Sequence, residues 1–239
     1  MKSVIKSMFR SVGLDLVKHP YTDITSSVDY LKLLNNHKVD MVLDVGANIG
    51  QYASDLFKIG YTGKVVSFEP MSKEYEVLKK TAMSNINWIV AQQVAIGDYN
   101  GDVEINISEN SVSSSILPLT DYVKEAAPAT RYVSSEKVKM QTLSEAALTF
   151  IEKAQRPFLK IDVQGYEEKV LLGAANIMPK LQGVHLEFSL KPLYENESSF
   201  EDMFRLVKSF GFEPCYFIPH HTTDSMGRLL QMDGVFYRR

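Results

Sequence analysis

The sequence contains one cysteine, Cys215, in 239 residues. No intramolecular disulfide is possible, and a lone thiol suits a reducing compartment, which points to the cytoplasm. Cys215 sits in FEPCYFI, an apolar strand-like run with no base beside it, and reads as a packed, inert thiol. A basic excess is lacking as well. The net charge is -3 and the isoelectric point near 6.0, which leaves no concentrated positive surface for a polyanion and argues against a nucleic-acid partner. Long apolar runs are also missing. In MKSVIKSMFRSVGLDLVKHP the apolar stretches are broken by Lys6, Arg10 and Asp15, so neither a secretion-signal core nor a membrane-spanning helix fits, and the segment is expected to stay on the mature protein. No internal repeat or low-complexity tract is visible. What is present is a chain 45% hydrophobic and 23% charged, the make-up of a globular protein with a substantial core.

Two readings compete for the first residues. Val4, Ile5, Met8, Phe9 and Val12 recur at helical spacing while Lys2, Lys6 and Arg10 fall on the other side. Such a stripe packs on its own domain or rests as a basic amphipathic helix on anionic lipid; packing is preferred, with peripheral membrane contact as the alternative. Residues 1–40 are thus expected to form a helical extension on a domain of residues 41–239. Within that domain the pattern alternates. Strands are expected at Met41 to Val45, Lys64 to Phe68, around Trp88 to Ile96, and at Val138 to Thr142, Phe158 to Val163, Val184 to Phe188, Pro214 to Ile218 and Gly234 to Tyr237. Helices are expected from about Thr25 to Asn36, from near Gly50, at Lys73 to Ser84, from Ser144, at Glu167 to Met178 and at Ser199 to Phe210. Asn100-Gly101 is a hairpin signal, with VEINIS alternating after it. Residues Glu109 to Ser135 read as a functional loop with short helices.

Alternation of this kind implies an α/β fold, a mostly parallel sheet with helices on both faces and ligands beyond the carboxyl ends of the strands. At those ends stand Asp44, Glu69, Asp162 and Glu187, all carboxylates. A phosphate-rich ligand is repelled by such a ring, whereas S-adenosylmethionine, with a sulfonium, an ammonium and a ribose diol, suits it. The loop in MVLDVGANIGQ carries Gly46 and Gly50, expected to let the backbone pass near a ligand, and Asn48 where a dinucleotide fingerprint has a glycine. Glu69 ends KVVSFE, where a carboxylate accepts from both ribose hydroxyls, and Pro70 holds it extended. Asp44 either contacts the ligand or ties the glycine turn together.

The ordered set VLDVGANIGQYA, VVSFEP, VAIGD with GDVEINIS, SVSSSIL, FLKIDVQGYEEKVLLGA, VHLEFSLKPLYE and LLQMDGVFYRR resembles the FkbM-type S-adenosylmethionine-dependent methyltransferases, over nearly the whole chain from Met41. The resemblance implies a class I methyltransferase fold: a seven-stranded, mostly parallel, Rossmann-like sheet with an antiparallel last strand and an extra hairpin after the third. It also implies methylation of a hydroxyl, on a sugar or natural product. By match, Asp44, Gly46, Ala47, Asn48, Gly50, Gln51, Glu69, Pro70, Asp98 and Gln164 fall to the cofactor, and Lys160 and Asp162 to the K-I-D-x-x-G-x-E element. Ser144 stands where the family commonly has Asp, and is expected to cap a helix as well.

Asp162 is the first candidate for the base that takes the hydroxyl proton, Lys160 sharing its strand face, and Glu187 the second, with His185 beside it. Lys160 and Asp162 could equally be a structural ion pair. Substrate contacts are expected from Ser113, Ser114 and Ser115, from Tyr122 and Tyr132 as stacking faces, and from His220 and His221. Adjacent histidines point apart and match no common zinc spacing, so no metal is expected. Gln231 and Asp233 either hold the last hairpin or line the acceptor side. The expected partner is a small-molecule, sugar or glycolipid acceptor, with homodimerisation left open. An NAD(P)-dependent oxidoreductase and a non-catalytic nucleoside-binding protein are the competing classes.

Overall fold

A computed structural model describes residues 27–220 and 223–238. The amphipathic stripe at Val4 to Val12, and His221, lie outside the described residues. Strand β1, Met41–Val45, is paired in parallel on both edges and, with helices packed on both faces, is buried at all five positions. Its partners are β2, Lys64–Phe68, and β7, Pro157–Ile161. Beyond them lie β3, Trp88–Val90, on one side, and β8, Gly183–Ser189, β10, Gln231–Arg238, and β9, Phe212–Pro219, on the other, giving the order β3-β2-β1-β7-β8-β10-β9. In this seven-stranded sheet β10 alone runs against the direction of the other six strands. This is the seven-stranded, mostly parallel sheet with an antiparallel last strand that the resemblance implied.

Alternate residues of the central strands face opposite layers. Val42, Val65 and Phe158 pack under α1 (Ser27–Asn36), α2 (Gln51–Lys58) and α3 (Ser72–Ala82), through Tyr30, Leu34, Leu56 and Leu78. Leu43, Val66 and Leu159 pack on the other side with Leu143, Ile151, Val170 and Val207. Those come from α5 (Leu143–Ala146), α6 (Leu148–Ile151), α7 (Glu167–Gly173) and α8 (Phe200–Ser209). Each such fully buried aliphatic contributes about 1.5–3 kcal/mol, and together they hold the strand ends that carry the site.

A second sheet covers those ends, and here the sequence expectations need correcting. Trp88 to Ile96 is two strands: after β3 the chain turns and Ala95–Gly97, β4, joins a three-stranded sheet ordered β4-β6-β5. Asn100-Gly101 closes no hairpin, because β6 (Tyr132–Thr142) lies between β4 and β5 (Gly101–Ser108), parallel to one and antiparallel to the other. The added antiparallel pair is β5 with β6, joined through the 109–131 segment and its short helix α4, Asp121–Ala126. Strand β6 begins at Tyr132, so Tyr132 to Ser135 are strand, not loop; their polar outer face hid the period. Helix α7 ends at Gly173 and not at Met178. A Cβ there would lie 1.8 Å from the Gly97 carbonyl oxygen, so the helix and the small sheet meet backbone to backbone. Ser144 is inside α5 and is not its N-cap; its hydroxyl donates instead to Gly173 O, at the end of α7, at 2.7 Å. Cys215 is exposed, on the edge strand β9, and burial still raises its thiol above the ordinary range.

Candidate active site

A cleft of about 200 Å³ opens where β1, β2 and β7 end beneath the small sheet. Its first wall is the glycine loop. Gly46 leaves β1 with φ 77°, and its N–H and that of Ala47 both donate to Phe68 O at 3.1 Å. A Cβ on Gly46 would stand 1.8 Å from Asp162 O, so this glycine admits the β7 backbone. Gly50, φ 93°, yields to the Trp88 ring and does not line the cleft. Both glycines are thus required by packing, not by passage of a ligand alone. Asn48, at φ 48°, turns its N–H to Glu69 Oε2, 2.8 Å away, and its own Oδ1 accepts from Ile49 N–H at 2.9 Å. Glu69 Oε1 accepts from Met71 N–H at 2.8 Å. Burial pushes the Glu69 carboxyl up to about 7, with these two backbone donors offsetting part of the effect. Ala47, Asn48, Gln51, Glu69 and Pro70 all line the cleft.

The floor is ionic. Asp44 is fully buried below the cleft, its Oδ2 accepting from Ser67 Oγ at 2.9 Å and its Oδ1 lying 3.2 Å from Lys160 Nζ. Lys160 reaches Asp162 Oδ2 at 3.7 Å and stands over the Tyr52 ring. Burial disfavours its ammonium, but Asp44 and then Asp162 outweigh burial and hold it above the ordinary lysine range. Asp162 is 44% exposed at its side chain and faces the cleft. Gln164, at φ 56°, donates to Asp162 Oδ1 at 2.8 Å and leans to Glu187 Oε2 at 3.3 Å, while its Oε1 accepts from Tyr194 OH at 2.7 Å.

Beside this floor lies a second ionisable group. Glu187 at the end of β8, His220 just after β9 and Asp233 on β10 bring ligating atoms within 4.8 Å of one another. In this structure the closeness is taken up by contacts of 3.3 Å, Glu187 to His220, and 3.1 Å, His220 to Asp233. His185 contacts Asp233 at 3.3 Å and Tyr30 OH at 2.9 Å. Gln231 donates to Glu187, so Gln231 and Asp233 both belong to this group.

The 109–131 segment meets its expected role only in part. Ser114 and Ser115 line the cleft beside Ser111 and Val112, and Ser113 does not. Ser115 Oγ donates to Gln164 O at 2.6 Å, and Ser114 Oγ accepts from Ser108 N–H at 3.0 Å, so these hydroxyls hold the segment in place. Tyr122 carries Lys191 on its ring, and Tyr132 donates to Leu117 O at 2.7 Å; neither lines the cleft. Asp98 also stands apart, paired with Lys169 at 3.2 Å.

A seven-stranded sheet of this order, with an acidic cleft at its carboxyl ends, narrows the comparison with known proteins. Residues 44–214, well over half of the chain, match the Methyltransferase FkbM domain. The chain belongs to the FkbM methyltransferase family. It is therefore an S-adenosylmethionine-dependent methyltransferase, and the nicotinamide and non-catalytic readings fall away. Comparison with curated proteins finds no match. Solved structures of similar shape include magnesium protoporphyrin IX methyltransferase (ChlM) from Synechocystis PCC 6803 with bound SAM, 13% identical at a TM-score of 0.49, with 100% of this chain and 97% of that one covered. A TehB-like SAM-dependent methyltransferase from Corynebacterium glutamicum is 12% identical at 0.45, covering 100% and 96%. TehB from Haemophilus influenzae is 13% identical at 0.47; 90% of this chain matches 62% of that one. Likeness at this level is of fold alone.

The residues of this FkbM methyltransferase fit the cofactor. Glu69 offers a buried carboxylate for hydroxyl donors, and Met71, Val94, Ala95, Ile105 and Ile116 line an apolar stretch of the cleft suited to a flat base. Those apolar residues, with Tyr52, were missed in the sequence. Ile105 and Ile116 come from the small sheet and its loop, and nothing in their spacing says that they close over β1 and β2.

Proposed function

We propose that this FkbM methyltransferase methylates a hydroxyl of a carbohydrate or glycosylated acceptor, with Asp162 as the base. The observation that carries the reading is the Asp162 carboxylate, open to the cleft beyond β7 and oriented by Lys160 and Gln164. S-adenosylmethionine, when bound, supplies a methyl group on a sulfonium. Glu69 would hold the ribose hydroxyls, Ala47, Asn48 and Gln51 the loop side, and the apolar residues the base. Holding donor and acceptor in line supplies roughly 7–11 kcal/mol of the barrier. Asp162 takes the hydroxyl proton as the oxygen attacks, worth on the order of 100 to 10,000-fold. Lys160, tied to Asp44, stays charged throughout and keeps one Asp162 oxygen in place, so the ion pair and the base are one device. Glu187 is the weaker candidate: it lies outside the cleft lining and three side chains already approach its oxygens.

A cytoplasmic location, a hydroxyl acceptor and an N-terminal extension packed on the domain belong to the same reading. For the described part of that extension, from Ser27, support comes from Tyr30 and Leu34, fully buried against the sheet. The direct test is mass spectrometry of glycans and glycolipids from cells with and without the gene. Loss of one CH2 unit from a sugar supports the reading; an unchanged glycan profile with methylation lost from another class of molecule sinks the acceptor assignment.

A further inference from the structure

The proton transfer assigned to Asp162 makes no use of His220, yet His220 is joined to it. Each carboxylate beside this histidine has one oxygen held from behind and the other turned toward the ring. Gln231 Nε2 at 2.6 Å and Gln164 Nε2 at 3.3 Å donate to Glu187 Oε2, and Oε1 faces His220 Nδ1 at 3.3 Å. His185 Nε2 approaches Asp233 Oδ2 at 3.3 Å, and Oδ1 faces His220 Nε2 at 3.1 Å. Tyr30 and Tyr52, whose hydroxyls are 2.6 Å apart, keep their protons because burial raises both. The Tyr52 hydroxyl, the Tyr30 hydroxyl and His185 Nδ1 thus form one chain behind Asp233, with His185 Nε2 at its far end.

Two lone pairs facing each other at these distances would repel, so each line from the His220 ring needs a hydrogen. On the Asp233 side the nitrogen carries it: burial raises that carboxyl, but His185 and His220 outweigh burial and hold it below the ordinary range. On the Glu187 side Oε1 and Nδ1, 3.3 Å apart, are close enough to share one proton. We propose that His220 is a positioning residue of the acceptor side, sharing one proton with Glu187 and so locking Glu187, Asp233 and, through Gln164, the direction of Asp162. The link to Asp162 rests on the function proposed above. The surroundings favour the shared proton. Asp162 from the end of β7, Glu167 from α7, Glu197 and Tyr194 from the loop before α8, and His185 and Asp233 from β8 and β10 all face the pair. Burial first, then these carboxylates, raise Glu187, and Asp233 raises His220.

The test is 15N-histidine NMR of the full chain, followed by pH profiles. His220 should titrate above 6.5, the ordinary imidazole value, and Glu187→Gln should lower that titration while the part due to Asp233 remains. A His220 that titrates as a free imidazole, or is unmoved by Glu187→Gln, overturns the lock without any variant having to turn over. Wild-type kcat should fall as pH rises through that titration; in His220→Gln the falling limb should vanish and kcat drop about ten- to a hundredfold with the cofactor KM unchanged. Stoichiometric Mn2+ binding by paramagnetic resonance, lost in His220→Gln, would make the three residues a cation centre and overturn the shared proton. If NMR shows the lock but Asp162→Asn is fully active, the lock stands and the choice of base, with the link to it, falls.

Discussion

The two halves of the sheet build their parts of the site by different means. On the β1–β2–β7 side the backbone does most of the work: Gly46 and Asn48 sit at positive φ, and main-chain N–H groups grip Glu69. On the β8–β10–β9 side the work falls to side chains, with Glu187, His185, His220 and Asp233 joined across three strands. A backbone device tolerates almost no change in volume. A side-chain device tolerates small changes in volume and fails by loss of its shared proton, so the halves should break in different ways.

The largest effect should come from Gly46→Ala. A Cβ 1.8 Å from a carbonyl oxygen forces β1 from β7, and the positive φ adds its own penalty, together roughly 3–5 kcal/mol. Denaturant melts should show it, against Gly227→Ala, also at positive φ but with nothing within 4 Å, as the control that isolates the backbone term. Equal melts for the two variants would remove the close approach as a cause. Next is Asp162→Asn, expected to lower kcat by about 100 to 10,000-fold with cofactor affinity nearly intact. Loss of cofactor binding in that variant would move Asp162 into the cofactor shell.

Glu69→Gln should weaken cofactor binding by about 1.5–3 kcal/mol, one to two decades by calorimetry, and an unchanged dissociation constant would remove Glu69 from that role. The pH sign follows from its carboxyl standing near 7. The folded chain favours the protonated form, so Glu69 contributes to stability below the usual carboxylate range and loses that contribution as pH rises through about 7. Hydroxyl donors prefer the charged form, so wild-type cofactor affinity should rise over the same window, with proton release on binding below it. A flat profile would contradict ribose contact. Smallest is Ser144→Ala, about 1 kcal/mol for one hydrogen bond to Gly173 O.

The same contrast explains what could be read in advance. Met41–Val45, Lys64–Phe68 and the loop between Asp44 and Gln51 announce themselves, because a strand buried on both faces reads as a nearly continuous apolar run and a tight turn favours Gly or Asn. Asp162 and Glu187 were visible as carboxylates at strand ends. His220 and Asp233 could be named, but not their meeting with Glu187, since strand order decides it and β10 inserts between β8 and β9. The β4-β6-β5 order was likewise illegible: Asn100-Gly101 carries a genuine turn signal, and only the packing of Gly97 against Met140 and Gly173 shows that another strand claims that edge.

Tyr30 lies upstream of the family match, which begins at residue 44, yet its hydroxyl joins Tyr52 to His185 inside the core. Trimming the chain to the matched span would therefore cut through a wire and not along a seam. It would strip a fully buried aromatic and Leu34 from the sheet and leave two polar groups in the interior without the partner that sets their orientation. For this chain, modularity as drawn by family resemblance and modularity as drawn by chemistry do not coincide.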